Sequence, residues 1–460
     1  MPATLAVPVA ALARSLAERK SSSRSLVEEA LARIADASGE GGRAFTKVHA
    51  QSALAAADAS DRARKRGAAP SLLAGLPVSI KDLFDIAGDA TTAGSTILRD
   101  RPPAIADATA VARLRAAGAV VIGRSNMTEF AFSAIGINPH YGTPANPWDR
   151  ASRRIPGGSS SGAAVSVSDG MAAFALGTDT GGSVRIPAAL CGIAGFKPTS
   201  ARVPREGAFP LSRTLDSVGP LAPTVACCAA VFQVLAGDAA RALAAADISR
   251  MRFAVPRNHM LEDLDVEVAE AFQSALQRLS RRGAKVVDIE VPEFSEAAKA
   301  SAGGGISPPE AYAVHRKWVD RDQDIDPRVL ERILRGGSMS AADYIDLLET
   351  RAQLMKRFVR ARYEVDAMIM PTVPRIAPRI DALERSADAF RLSNGNMLRN
   401  TSIINFLDGC ALTLPIHPPK GAPVGMMVVG FAGEDERVLS AGLAIEAALA
   451  YQGPVLVDNR

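Results

Sequence analysis

Apolar residues recur at helical spacing at the start of the chain, and residues 5 to 37 read as two amphipathic helices. The second opens at Ser23 or Ser25 and carries Leu26, Ala30, Leu31 and Ile34 on one face. A third helix spans about Ala50 to Arg66. The run GLPVSIKDLFDIAG then breaks the period, with strand-like Val78 and Ile80 just before Lys81. Thr109 to Ala117 reads as a helix ended by Gly118, and Ala119 to Ile122 as a buried strand.

The same alternation continues downstream. Pro198 to Pro223, rich in Pro, Gly and Ser, reads as an ordered loop. A helix from Val225 to Leu235, the strand MRFAVP, a helix from Val266 to Arg282 and the strand AKVVDIEVP follow. After the glycine triplet Gly303 to Gly305, the residues Ser307, Pro308 and Glu310 predict a capping-box helix start. Residues 307 to 362 are mostly helical, broken at Arg335 to Ser338. The strand VDAMIMPTVP precedes a loop-rich region, and ALTLPI, VGMMVVGF and a helix from Glu434 to Ala450 close the chain. Strands alternating with helices predict an α/β sheet and exclude a helical bundle. No internal repeat or low-complexity linker interrupts it.

Composition narrows the function class. Of 460 residues, 48% are hydrophobic and 22% charged, as in an ordinary globular protein with a sizeable core. The 53 basic and 49 acidic residues leave a net charge of only +4, scattered through helical stretches, and aromatics are 5%. A nucleic-acid binder concentrates its charge in a patch, so none is expected as a partner. Cys191, Cys227, Cys228 and Cys410 have neither metal-ligand spacing nor a disulfide framework, which fits a reducing cytoplasm. Arg14, Glu18, Arg19 and Lys20 interrupt the apolar N-terminus, so neither a signal peptide nor a membrane span is predicted.

The chemistry is concentrated between Pro156 and Thr199, where two glycine-flanked serine loops, PGGSSS and TDTGGS, enclose one short apolar segment. Such loops bring hydroxyls and backbone N–H groups together, the equipment of acyl transfer. The usual base is missing, because His49, His140, His259, His315 and His417 lie in unrelated contexts and none borders a Gly-rich serine. No GxSxG elbow is present either. A triad assembled in space stays open. The remaining base is a lysine neutralised by burial, and Lys81, after an apolar strand and beside Asp82, is the candidate. The glycines could instead form turns or a phosphate cradle, but no Lys-Ser or Lys-Thr follows either loop as in a P-loop.

A lysine after an apolar strand, then Gly-Gly-Ser-Ser, then Gly-Thr-Asp-x-Gly-Gly-Ser and Arg-x-Pro, in this order and spacing, resembles the amidase signature family. The resemblance runs from about residue 20 to the C-terminus and includes GRSNMTEFA, NPW, GFKPT, DSVGPLAPTV and PVGMMVVG. It implies one large α/β/α domain over residues 1–460, with a central mixed twisted sheet covered by helices. N-terminal helices would occupy about 5–66, the catalytic core about 70–235 and a variable helical substrate rim about 297–362, with segment 371–400 also shaping the entrance.

The resemblance also implies a Ser-Ser-Lys amidase: Ser183 as nucleophile, Ser159 as bridging serine, Lys81 as base, with Ser160 the nearest competitor of Ser159. Backbone N–H groups of Thr180, Gly181, Gly182 and Ser183 would form the oxyanion hole, and the Gly158–Ser159 peptide would be cis. Asp179 and Arg185 would brace the nucleophile loop, and Met127 would either line the acyl pocket or belong to the core. Ser161 stands where many members have glycine, outside the implied relay. The expected substrate is a small carboxylic acid amide, without metal or cofactor, in a cytoplasmic protein for which a homodimer stays open.

Two alternatives accompany this reading. One is the glutaminase component of a glutamyl-tRNA amidotransferase, which shares the triad and works with a partner. There a tyrosine-glycine-arginine loop usually follows Lys-Pro-Thr, whereas this chain has PTSARVPREGAFPLSRTLDSVGP. The other is a binding module that keeps the fold without turnover, against which all three triad residues argue.

Overall fold

Eleven strands form one mixed sheet in a computed structural model that describes residues 5–239, 241–319 and 324–449. The strands are β1 (Phe45–Val48), β2 (Pro77–Lys81), β3 (Val120–Ser125), β4 (Phe174–Asp179), β5 (Ala194–Lys197), β6 (Ser217–Ala222), β7 (Arg252–Pro256), β8 (Lys285–Ile289), β9 (Ala367–Pro371), β10 (Cys410–Pro415) and β11 (Gly425–Gly430). Their order across the sheet is β1-β3-β2-β4-β6-β5-β10-β11-β9-β7-β8. Parallel pairs lie at β3-β2-β4 and at β9-β7-β8, and the strands between them pair antiparallel. Helices cover the sheet in a single α/β domain, as expected, and most central strands are buried along their whole length. Continuous apolar runs such as AMIMP and GMMVVG are the pattern of strands covered on both faces.

The N-terminal helices form as the periodicity predicts. Ser22 caps Ser23–Ala35, and its apolar stripe Leu26, Val27, Ala30 and Ile34 is buried. The helix Ala50–Lys65 packs beside it, an early helical layer that leads the chain to β2. The end of the closing helix at Ala450 lies outside the described residues, as does the part of segment 307–362 at 320–323.

Three expectations are corrected. The Pro198–Pro223 stretch contains β6, a central strand between β4 and β5. Gly219 and Pro220 argue for a loop, yet β4 pairs through both, and a Cβ on Gly219 would collide with the Phe196 carbonyl. The region after β9 holds a 20-residue helix, Ala387–Phe406, although Ser393-Asn394-Gly395-Asn396 reads as a turn. Packing of its buried face, Phe390, Met397, Ile403, Ile404 and Phe406, outweighs the low local propensity. Finally, the helix Ser307–His315 starts without a side-chain cap, because Glu310 reaches Thr214 and Tyr344 instead of the backbone of its own helix start.

Candidate active site

Lys81 is the last residue of β2 and points into a site where β2, β3 and β4 run parallel. Loops and side chains gather at the C-terminal ends of such strands, because the chain must leave the sheet there. β4 ends at Thr178 and Asp179, and the loop that carries Ser183 follows at once. The other serine loop ends at Ser160, where the helix Ser161–Ser168 begins.

The fold joins Lys81 to Ser159 across 78 residues of sequence. Nζ lies 2.8 Å from Ser159 Oγ and 2.9 Å from Thr178 Oγ1, and all three side chains are buried. Burial pushes the Lys81 amine down to about 7, against the opposing pull of Asp216 and Asp179. In the neutral amine, one N–H can donate to Thr178 while the lone pair faces the Ser159 hydroxyl. The Gly158–Ser159 peptide is cis, in the form the resemblance implies.

Ser183 and Ser160 meet through the backbone: Ser160 N–H donates to the Ser183 carbonyl at 3.3 Å. The Ser160 hydroxyl turns the other way, toward the Thr178 carbonyl at 3.4 Å. Among the described residues no side-chain hydrogen bond joins Ser159 to Ser183. Ser183 instead faces a cavity of about 400 Å³ whose wall includes Thr180, Gly181, Phe132 and Leu398. Among the described residues no histidine lines it.

Asp179 and Arg185 form a buried bidentate pair, with Nε to Oδ2 at 3.0 Å and Nη2 to Oδ1 at 2.9 Å. The same carboxylate accepts the backbone N–H groups of Gly182, Val184 and Arg185, so it gathers the turn around Ser183. Burial raises its pKa, but the Arg185 charge and the side-chain hydrogen bonds from Arg185 and Asn405 outweigh it and hold the carboxyl well below the usual range. One correction concerns Gly182: its N–H is engaged by Asp179 at 2.9 Å, which narrows the candidate oxyanion donors to Thr180, Gly181 and Ser183. Glycine is required there for another reason, since φ is +132° and a Cβ would collide with Thr401 Oγ1. Met127 is fully buried in the core and is not in the cavity wall, so it does not line an acyl pocket.

The sequence motifs do not point to several residues that support the site. Asn405 donates to Asp179 Oδ1 at 2.8 Å and accepts from Arg185 at 2.5 Å, while Thr401 Oγ1 donates to the Gly181 carbonyl at 2.6 Å. Both belong to the helix Ala387–Phe406, in the stretch whose sequence reads as loop-rich. Thr178 opens the TDTGGS motif, and Asp216 opens DSVGPLAPTV. Asp179→Ala is expected to strand a buried guanidinium and lower unfolding stability by roughly 3–5 kcal/mol, read as a shifted denaturant midpoint.

Known proteins resemble this chain along most of its length. The family model described as Amidase matches residues 25–439. The 2-amino-5-chloromuconic acid deaminase of Comamonas testosteroni is 36% identical, over 88% of each chain. The A component of the glutamyl-tRNA(Gln) amidotransferase of Roseiflexus castenholzii is 36% identical, over 95% of each. A crystal structure of an amidase superposes with a TM-score of 0.86 at 34% identity, covering 96% of this chain and 99% of that one.

Proposed function

This chain belongs to the amidase signature family, and from that premise we propose that it hydrolyses a linear amide through an acyl-enzyme on Ser183. The observation that carries the reading is the buried, base-poised Lys81 amine 2.8 Å from Ser159. As substrate seats, Ser183 Oγ attacks the amide carbonyl, its proton passes to Ser159, and the Ser159 proton passes to Lys81. Thr180, Gly181 and Ser183 N–H groups receive the oxyanion. Collapse breaks the C–N bond, the relay returns a proton to the departing amine, and water resolves the ester by the same path. Ser160 supports the loop, and the reaction needs no metal or cofactor.

The substrate reading is an amide whose acyl part carries a carboxylate. Arg332 supports it: its half-buried guanidinium lines the cavity over Phe132, 4.5 Å from the ring centroid, and Nε is buried without a hydrogen-bond partner among the described residues. Arg328 is paired with Asp326, and Arg335 and Arg391 with Glu331, but Arg332 makes no ion pair among the described residues. Burial lowers it to about 10, still charged at neutral pH. The name of the Comamonas relative, a muconic acid deaminase, fits an acidic substrate. A panel of dicarboxylic acid monoamides against uncharged amides tests this. Arg332→Gln is expected to raise KM for the acids on the order of 10²-fold and leave uncharged amides unchanged; equal effects on both would refute it.

The 36% identity to an amidotransferase component favours one second reading, a glutaminase serving a partner protein. Turnover confined to glutamine, rising when such a partner is added, would select it.

A further inference from the structure

We propose that Asp216 and Glu310 form a two-link tie from the substrate rim to the nucleophile loop, positioning Thr180 and its backbone donor at the reacting carbonyl. This rests on the function proposed above.

The first link lies against the sheet. Asp179 pairs with Ser217 in the β4–β6 register, so Asp216 sits where β4 runs out into the nucleophile loop. Its carboxylate accepts Thr180 Oγ1 at 2.5 Å and the N–H groups of Leu211 and Ser212 at 3.0 and 3.1 Å. Thr180 stands in the cavity wall beside Gly181 and Ser183.

The second link comes from the rim. Glu310, on the helix Ser307–His315, accepts the Ser212 hydroxyl, the Thr214 N–H at 3.1 Å, the Thr214 hydroxyl, and Tyr344 OH at 2.7 Å from the helix Ala341–Ala361. Ser212 joins the two links, its N–H turned to Asp216 and its hydroxyl to Glu310. Residues 211–216 are therefore held from both sides. Glu310 is not in the cavity wall, which makes it a positioning residue, and an oxyanion donor is worth only as much as its aim.

The two links differ in what they do to the base. The charged groups facing Lys81 are Asp216 and Asp179, the latter engaged by Arg185, and Arg205 is the cation facing Asp216. Removing the Asp216 charge makes the Lys81 ammonium harder to form, whereas Glu310 is not among the groups that shift it.

Because the substrate is unidentified, the probe is a fluorophosphonate, whose phosphonyl oxygen must enter the same donor set. Its inactivation rate is measured against pH, with circular dichroism to confirm folding. Thr180→Val and Asp216→Asn are each expected to slow inactivation on the order of 10²-fold, with Thr180→Ser restoring most of it. Asp216→Asn also moves the acid limb to lower pH, and Glu310→Gln slows inactivation about tenfold with the limb in place. The double variant Glu310→Gln/Thr180→Val loses no more than Thr180→Val alone, because both break one tie. Parental rates in Thr180→Val, or additive losses in the double variant, would overturn the proposal. Should Asp216→Asn fail to fold, the Thr180 and Glu310 variants decide alone. A parent protein that does not label at Ser183 would refute the proposed function instead.

Discussion

Ser183→Ala is expected to lower kcat/KM on the order of 10⁴-fold or more and to abolish the fluorophosphonate adduct seen by intact mass. The size follows from what is lost: with no oxygen at the cavity wall there is no bond for the acyl group, whatever the relay and the donors still offer. Stability should change little, since Ser183 is a small residue whose turn is held by Asp179 through the neighbouring backbone N–H groups. Loss of activity with an unchanged denaturant midpoint therefore separates chemistry from folding. A turnover rate equal to the parent's would remove Ser183 from the mechanism.

Lys81→Met keeps the stem volume and removes the amine, and is expected to cost on the order of 10³-fold in kcat/KM. In the parent, only the unprotonated amine can take a proton from Ser159. Because burial lowers its pKa to about 7, activity should rise about tenfold per pH unit below that point and level off above it. Asp216, raised to about 6 by burial, titrates nearby, so the limb reports the two groups together. In Lys81→Met the limb near 7 should vanish, and a residual rate that kept the parental profile would assign the base elsewhere. Asp179 gives the same sign in a different measurement. Its pKa is held low, so its contribution to stability is present above an ordinary carboxylate pKa of about 4 and is lost as acid protonates it.

Both experiments begin from residues legible in the chain. Lys81, Ser159 and Ser183 stand in short patterns with few readings, because a catalytic loop needs glycine and hydroxyl residues at fixed neighbouring positions. The N-terminal helices and the strand before Lys81 were legible as well, since their apolar periods are set by local geometry. The failures share a cause. β6 contains Gly219 and Pro220, and the helix Ala387–Phe406 contains Ser393 to Asn396, so local preference points away from the element that forms. Each is decided by neighbours distant in sequence: β4 and β5 flank the strand, and a buried apolar face holds the helix.

The supporting residues of the site follow the same rule. Asn405 and Thr401 meet the nucleophile loop across more than 200 residues, and no spacing within a motif records such a contact. Glu310 shows the competition directly, since its place three residues after Ser307 suits a cap and its carboxylate serves Thr214 and Tyr344. By itself, then, the sequence determined the α/β class and the family and pointed to the candidate side chains Lys81, Ser159 and Ser183, all of which depend on short-range pattern. Only the tertiary structure decided which donors remain free for an oxyanion, how far burial moves the Lys81 amine, and which cation faces the cavity without an ion-pair partner among the described residues. These depend on desolvation and on distances across the sheet, which exist once the chain is packed.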